Sequence, residues 1–123
     1  MREIKFKAKQ LNSGEWFEGD LVHLGNRVCI GGDNIKDGIT DVAPETVCQF
    51  TGLTDCDGNE IWEGDIVERE IWNRLYNGLT KAKGVIEYKG AEFFVAINSE
   101  TYSLYPKDIK VVGNKFDRKE GEK

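Results

Sequence analysis

Soft metal ligands are scarce in this chain. It has a single histidine, His23, and three cysteines, Cys29, Cys48 and Cys56. A histidine-rich metal centre is therefore excluded. Any Ser-His-Asp or Cys-His arrangement has to be built on His23, which in "LVHLG" reads as an outward strand position. The cysteines are odd in number and none forms a C-x-x-C pair. The first ten residues alternate charged and apolar types with no apolar h-region, so no secretory signal is expected. Free thiols in a reducing cytoplasm follow, with Cys29 in "RVCIG" as a small core residue. No run approaches the roughly 20 apolar residues of a membrane-spanning helix. Phosphate-binding, dinucleotide-binding and nucleophile-elbow motifs are all missing.

What is present points to a folded β protein. At 123 residues the length suits about one domain, with enough chain to bury a core. Three Trp, four Tyr and six Phe supply large apolar faces in a chain that is 32 % charged. "REIKFKAK" alternates polar and apolar as a half-buried strand does. "WFEGDLVHL" and "RVCI" are strand-like pieces split by the turn pair Gly25-Asn26. Residues 31–46, rich in Gly, Asp and Asn, read as a loop holding one short strand at 39–42. "VCQFTGL" runs into "TDCDGNEI", where Asp57-Gly58 predicts a type I′ hairpin turn. "GVIEYKGAEFFVAI" is a hairpin about Lys89-Gly90, and "YSLY" and "DIKVV" are parted by Pro106. The count is seven or eight short strands and few helices, which predicts a small SH3-like barrel or two packed antiparallel sheets. Residues 1–114 form the expected domain, and 115–123 a charged, disordered tail.

One segment resists assignment. In "EREIWNRLYNGLTKA", Val67, Ile71 and Leu75 fall at i, i+4 and i+8, as on a helical face. A strand to about Ile71 followed by a long hairpin loop is the preferred reading, and Asn77-Gly78 ends the segment either way.

"EWFEGDLV" (15–22) and "EIWEGDIV" (60–67) are nearly the same phrase. Glu18-Gly19-Asp20 and Glu63-Gly64-Asp65 predict a corner used twice. Two bulky apolar residues pack inward, the chain reverses at Glu-Gly, and Asp holds the turn through a backbone N–H two residues on. The sharper reading joins the four carboxylates into a divalent-cation site for hydrolysis, although nothing in the sequence brings the corners together. "DCDGNE" fails the calcium-loop spacing and reads as a hairpin turn.

The net charge of −5 opposes nonspecific DNA binding as the main role. Lys5, Lys7 and Lys9 nevertheless share one strand face and, with nearby aromatics, form a candidate contact surface. Trp72 and Tyr76, on the irregular stretch after the second corner, form another.

The run "QFTGLTDCDGNEIWEGDIV", Gln49 to Val67, resembles the signature of the YopX family, small proteins of bacteriophages and prophages. It carries an aromatic with Thr-Gly-Leu (Phe50 to Leu53), an Asp/Asn/Gly turn (Asp55 to Asn59), then Trp62 to Val67. "REIKFKA", with Ile4, Phe6 and Ala8, is similar to the family's opening. The family usually has arginine at Lys7 and tryptophan at Lys9, and continues past Gly113-Asn114 into a proline-containing helical segment. The resemblance implies a mostly β fold and a phage context, and carries no catalytic residues. The expectation is a non-enzymatic binding or assembly module with no cofactor and no membrane contact. Its partner is expected to be a protein, from phage or host or a second copy. A nucleic-acid-associated protein is the alternative, and a metal-dependent hydrolase comes last.

Overall fold

The structure, a computed structural model, describes residues 4–33, 35–98 and 100–117. The chain divides into two compact units, Met1–Phe50 and Thr51–Lys123. Each has its own core.

The first unit contains β1 (Phe6–Lys9), β2 (Trp16–Leu24), β3 (Arg27–Gly31), β4 (Ile39–Asp41) and the start of β5 (Cys48–Thr54). They are ordered β4-β3-β2-β1-β5, and the described registers are antiparallel. Alternation along β1 and β2 turns Phe6, Ala8, Phe17 and Leu21 to one face, where they pack with Ile30, Ile35 and Val42. Gly25 (φ 60) opens the β2–β3 turn and Asn26 keeps a negative φ, the pattern of a II′ turn. The Gly/Asp-rich stretch holds β4 between two 3-10 turns, Lys36–Gly38 and Pro44–Thr46.

In the second unit the end of β5 is followed by β6 (Glu60–Trp62), β7 (Asp65–Asn73), β8 (Gly78–Lys89), β9 (Glu92–Ile97), β10 (Glu100–Ser103) and β11 (Lys110–Asn114). β6 is the other neighbour of β5, and the last five strands form an antiparallel sheet ordered β10-β9-β8-β7-β11. Ile61, Val67, Ile86, Val95, Ile97 and Ile109 make the core. Gly84 lies on that inner face, where a β-carbon would meet Ile97 and Val95 at 2.6 and 2.8 Å, so glycine lets those side chains close over β8.

The protein is thus mostly β with two antiparallel sheets, and neither closes into a barrel. Among the described residues eleven strands replace the expected seven or eight. No α-helix occurs among the described residues, and none of their helices is long and apolar enough to cross a membrane. The ambiguous segment is strand through Asn73, a four-residue turn, and strand again from Gly78. Val67 and Ile71 both lie against the core because a spacing of four suits a strand face as well as a helix. Of the expected tail, Lys115–Asp117 form a turn, with the Lys115 N–H donating to the Gly64 carbonyl (2.9 Å). Residues 118–123 lie outside the described residues.

Candidate functional site

The second Glu-Gly-Asp phrase is a turn. β6 ends at Trp62, Gly64 takes φ +88, and Asp65 opens β7. Only glycine adopts that angle without a β-carbon clash. The buried Asp65 carboxylate accepts the Trp62 N–H (2.8 Å) on one oxygen and the Asn114 side-chain amide (3.0 Å) on the other. The backbone donor stands three residues back, where two residues on was expected. Asn114 passes the tie onward, its carbonyl oxygen accepting the Phe116 N–H (2.9 Å). Both carboxylate oxygens therefore accept protein donors, which is what a structural clasp requires.

The first phrase corrects the expectation of a repeated corner. Glu18, Gly19 and Asp20 sit in the middle of β2 with no reversal, and Gly19 has no positive φ. Its glycine serves close approach: a β-carbon on Gly19 would overlap the Gly31 carbonyl oxygen. Glu18 and Asp20 are exposed on the opposite face, Glu18 at 3.8 Å from the Lys5 ammonium. The two phrases belong to different units. Among the described residues no group of three or more His, Cys, Asp or Glu side chains is arranged to hold a metal ion.

Ahead of the second phrase, Asp55 organises the "DCDGNE" loop. Its carboxylate accepts the N–H groups of Asp57 (2.9 Å) and Asn59 (2.8 Å) on one oxygen and that of Val111 (2.8 Å) on the other. Burial alone would raise its pKa, but these three backbone donors, with the Asn59 side chain, outweigh burial and hold it below the ordinary value. The expected I′ turn is corrected here. Only Gly58 has positive φ (+84), and the Asp55 N–H donates to the Asn59 carbonyl (2.8 Å), so the loop is a three-residue turn closed by a left-handed glycine.

The remaining polar candidates are tied internally. Cys29 is fully buried and its thiol donates to Asp41 (3.1 Å), which also receives Arg27 at 2.9 and 2.8 Å. Burial first, then Asp41, pushes the Cys29 thiol up, so it stays protonated and unreactive. The Cys29 and Arg27 donors hold Asp41 below the ordinary carboxyl value. His23 is exposed on β2. Lys7 and Lys9 lie 4.7 and 5.4 Å from the Trp16 ring centroid, and Lys5 lies 4.8 Å from that of Phe50. Each of these rings thus already carries an ammonium group of the chain itself.

The surface left open is the far half of the β7–β8 hairpin. β11 pairs with β7 only from Asp65 to Glu68, and β9 with β8 only from Val85 to Lys89. Beyond those limits the hairpin is a two-stranded ribbon, and an isolated ribbon of this kind is marginal in water. Its inner face is anchored by Ile71 and Ala82 on the core, and by Arg69 at 5.1 Å from the Tyr102 ring. At its tip Asn77 turns the chain with φ 50, and the Leu75 N–H donates to the Asn73 side chain (2.9 Å).

Trp72 and Tyr76 are 59 % and 74 % exposed, and Leu75 and Leu79 reach 90 % and 61 %. Sequence reasoning missed the two leucines. The hairpin register is centred on Leu75-Tyr76: with a four-residue turn at 74–77, Leu79 stands directly across from Trp72, whereas a two-residue turn at Asn77-Gly78 would set it across from Tyr76. Four large apolar side chains at one hairpin end are a contact surface in the making.

Comparison with known proteins adds one finding. The family model described as YopX protein matches residues 5–120. No curated protein matches the chain.

Proposed function

The chain belongs to the YopX family, and we propose that it serves there as a non-enzymatic binding or assembly module acting in the bacterial cytoplasm for a phage or prophage. The observation that carries this reading is the exposed apolar end of the β7–β8 hairpin, Trp72, Leu75, Tyr76 and Leu79. Rigid aromatic side chains presented on a two-stranded ribbon gain by burial against another protein. Each large one contributes roughly 1.5–3 kcal/mol when fully covered. Docking is the supported role because the carboxylates that looked chemical are either clasped to backbone donors, as at Asp55 and Asp65, or spread along an exposed strand, as at Glu18 and Asp20.

The test is a photo-crosslinking amino acid placed at Tyr76 in the full chain, expressed in bacteria with and without prophage induction. A crosslink to a protein, another copy of the chain included, is the expected result. No crosslink under either condition overturns the reading. Light scattering at low salt with short single- and double-stranded DNA covers the nucleic-acid alternative: a salt-sensitive rise in mass would displace the docking reading in favour of the Lys5, Lys7 and Lys9 face.

A further inference from the structure

The outer face of the hairpin has a pattern that singles out one partner. Cross-strand neighbours share a face, and so do residues two apart along a strand. The outward residues of β7 are therefore Ile66, Glu68, Glu70 and Trp72. Directly across from them on β8 stand Val85, Lys83, Lys81 and Leu79. Each strand reads apolar, charged, charged, apolar. Within these four pairs both acids stand on β7 and both bases on β8; the next outward residue of β8, Glu87, is an acid and lies beyond the ladder. A ladder serving only the fold would work equally well with the signs mixed along each strand, since every cross-strand pair would still be opposite in charge.

Opposite charge in every cross-strand pair makes the face complementary to itself about an axis along the strands, and segregation by strand selects that axis by excluding the other. A second ribbon laid face to face, related by a two-fold axis running along the strands, sets β7 of one copy over β8 of the other. Glu68 then meets Lys83, Glu70 meets Lys81, and the apolar ends meet as Trp72 with Leu79 and Ile66 with Val85. A two-fold axis across the strands would set β7 over β7, and acids would face acids and bases face bases. That arrangement is disfavoured by like-charge repulsion. At the base of the ribbon a shallow depression of about 360 Å³, lined by Ile66, Lys83, Gly84, Val85 and Ala96 among others, gives the facing side chains room.

We propose that the β7–β8 ribbon docks on the same ribbon of a second copy, face to face and with the hairpin ends together, so that the protein forms a two-fold dimer. The proposal rests on the docking reading above and names its partner. About eight side chains per copy meet, fewer than the roughly 20–30 of a standard interface, so the dimer is weak and concentration-dependent. Its charged middle makes it weaker still in high salt.

The experiment is sedimentation equilibrium of the full chain over a wide concentration range at low and high salt. It is repeated for Glu68→Lys/Glu70→Lys, for Lys81→Glu/Lys83→Glu, for an equal mixture of the two, and for Trp72→Ser, each checked for folding by circular dichroism. The wild-type chain is expected to dimerise and to lose affinity with salt. Each double variant alone is expected to lose at least about tenfold in affinity, the mixture to form a heterodimer, and Trp72→Ser to weaken the dimer about tenfold without changing its salt dependence. If a double variant fails to fold, Glu70→Gln and Lys81→Gln replace it, with a smaller loss expected from each. A wild-type chain that stays monomeric overturns the proposal, as does a double variant that dimerises like the wild type or a mixture that does not pair. A monomer whose Tyr76 probe crosslinks a different protein defeats the dimer alone, whereas a probe that crosslinks nothing defeats the docking reading itself.

Discussion

The same phrase, Glu-Gly-Asp flanked by bulky apolar residues, is straight strand at 15–22 and a turn at 60–67. In the first, Gly19 is needed because the Gly31 carbonyl lies where its β-carbon would be, and Asp20 points to solvent. In the second, Gly64 is needed for a positive φ, and Asp65 is buried and bonded on both oxygens. Local sequence therefore specifies which residues are tolerated here, and the partners specify what they do. A neighbouring Asn114 amide turns an aspartate into a clasp, and its absence leaves one as a solvated strand residue.

The contrast can be broken most sharply at the aspartates. Asp65→Ala strands the Trp62 N–H and the Asn114 amide in a buried setting and removes two bonds to a charged group. The expected loss is about 3 kcal/mol in urea-induced unfolding. The glycines separate next. Gly19→Ala is expected to cost about 2 kcal/mol by overpacking, and Gly19→Asn more, since the larger side chain worsens the clash. Gly64→Ala is expected to cost about 1–2 kcal/mol through backbone strain, and Gly64→Asn less, since asparagine accepts the left-handed region. Equal rankings of Ala and Asn at both sites would erase the distinction drawn between them.

A third effect lies in the loop leading into the second phrase. Asp55 has a depressed pKa in the folded state, so its contribution is present above the unfolded value of about 4 and is lost as pH falls through the folded value. Asp55→Asn is expected to flatten the acid-side fall in thermal midpoint, with a loss of about 1 kcal/mol at neutral pH that shrinks toward zero in acid. A variant whose midpoint falls in acid as steeply as the wild type would assign that fall to other carboxylates. Smallest of all, Asp20→Asn is expected to stay within about 0.5 kcal/mol of the wild type, because nothing buried depends on its charge.

Strict alternation in 4–9 places β1, and the β-branched and aromatic runs on either side of Lys89-Gly90 place β9 and the second half of β8. The turns at Gly25-Asn26 and Asn77-Gly78 are legible for a similar reason, since few residues take positive φ cheaply. The identity of the β7–β8 segment is less legible: Val67 and Ile71 satisfy helix and strand periods alike, and pairing with β8 decides between them. Trp72 could be recognised as a contact candidate, but its neighbour Leu79 could be matched to it only through the register.

The sequence by itself determined the β class, the alternation of β1, the left-handed glycine turns at Gly25, Gly58 and Gly64 and the family, since these follow from side-chain period, backbone sterics and local resemblance. Tertiary structure alone decided that the two like phrases differ, that Asp55 and Asp65 are clasps, and that acids and bases fall on separate strands of one open ribbon face. Those outcomes depend on hydrogen bonds and strand registers between residues far apart in the chain, such as Asp65 with Asn114 and Asp55 with Val111. No local pattern encodes which distant donor will arrive.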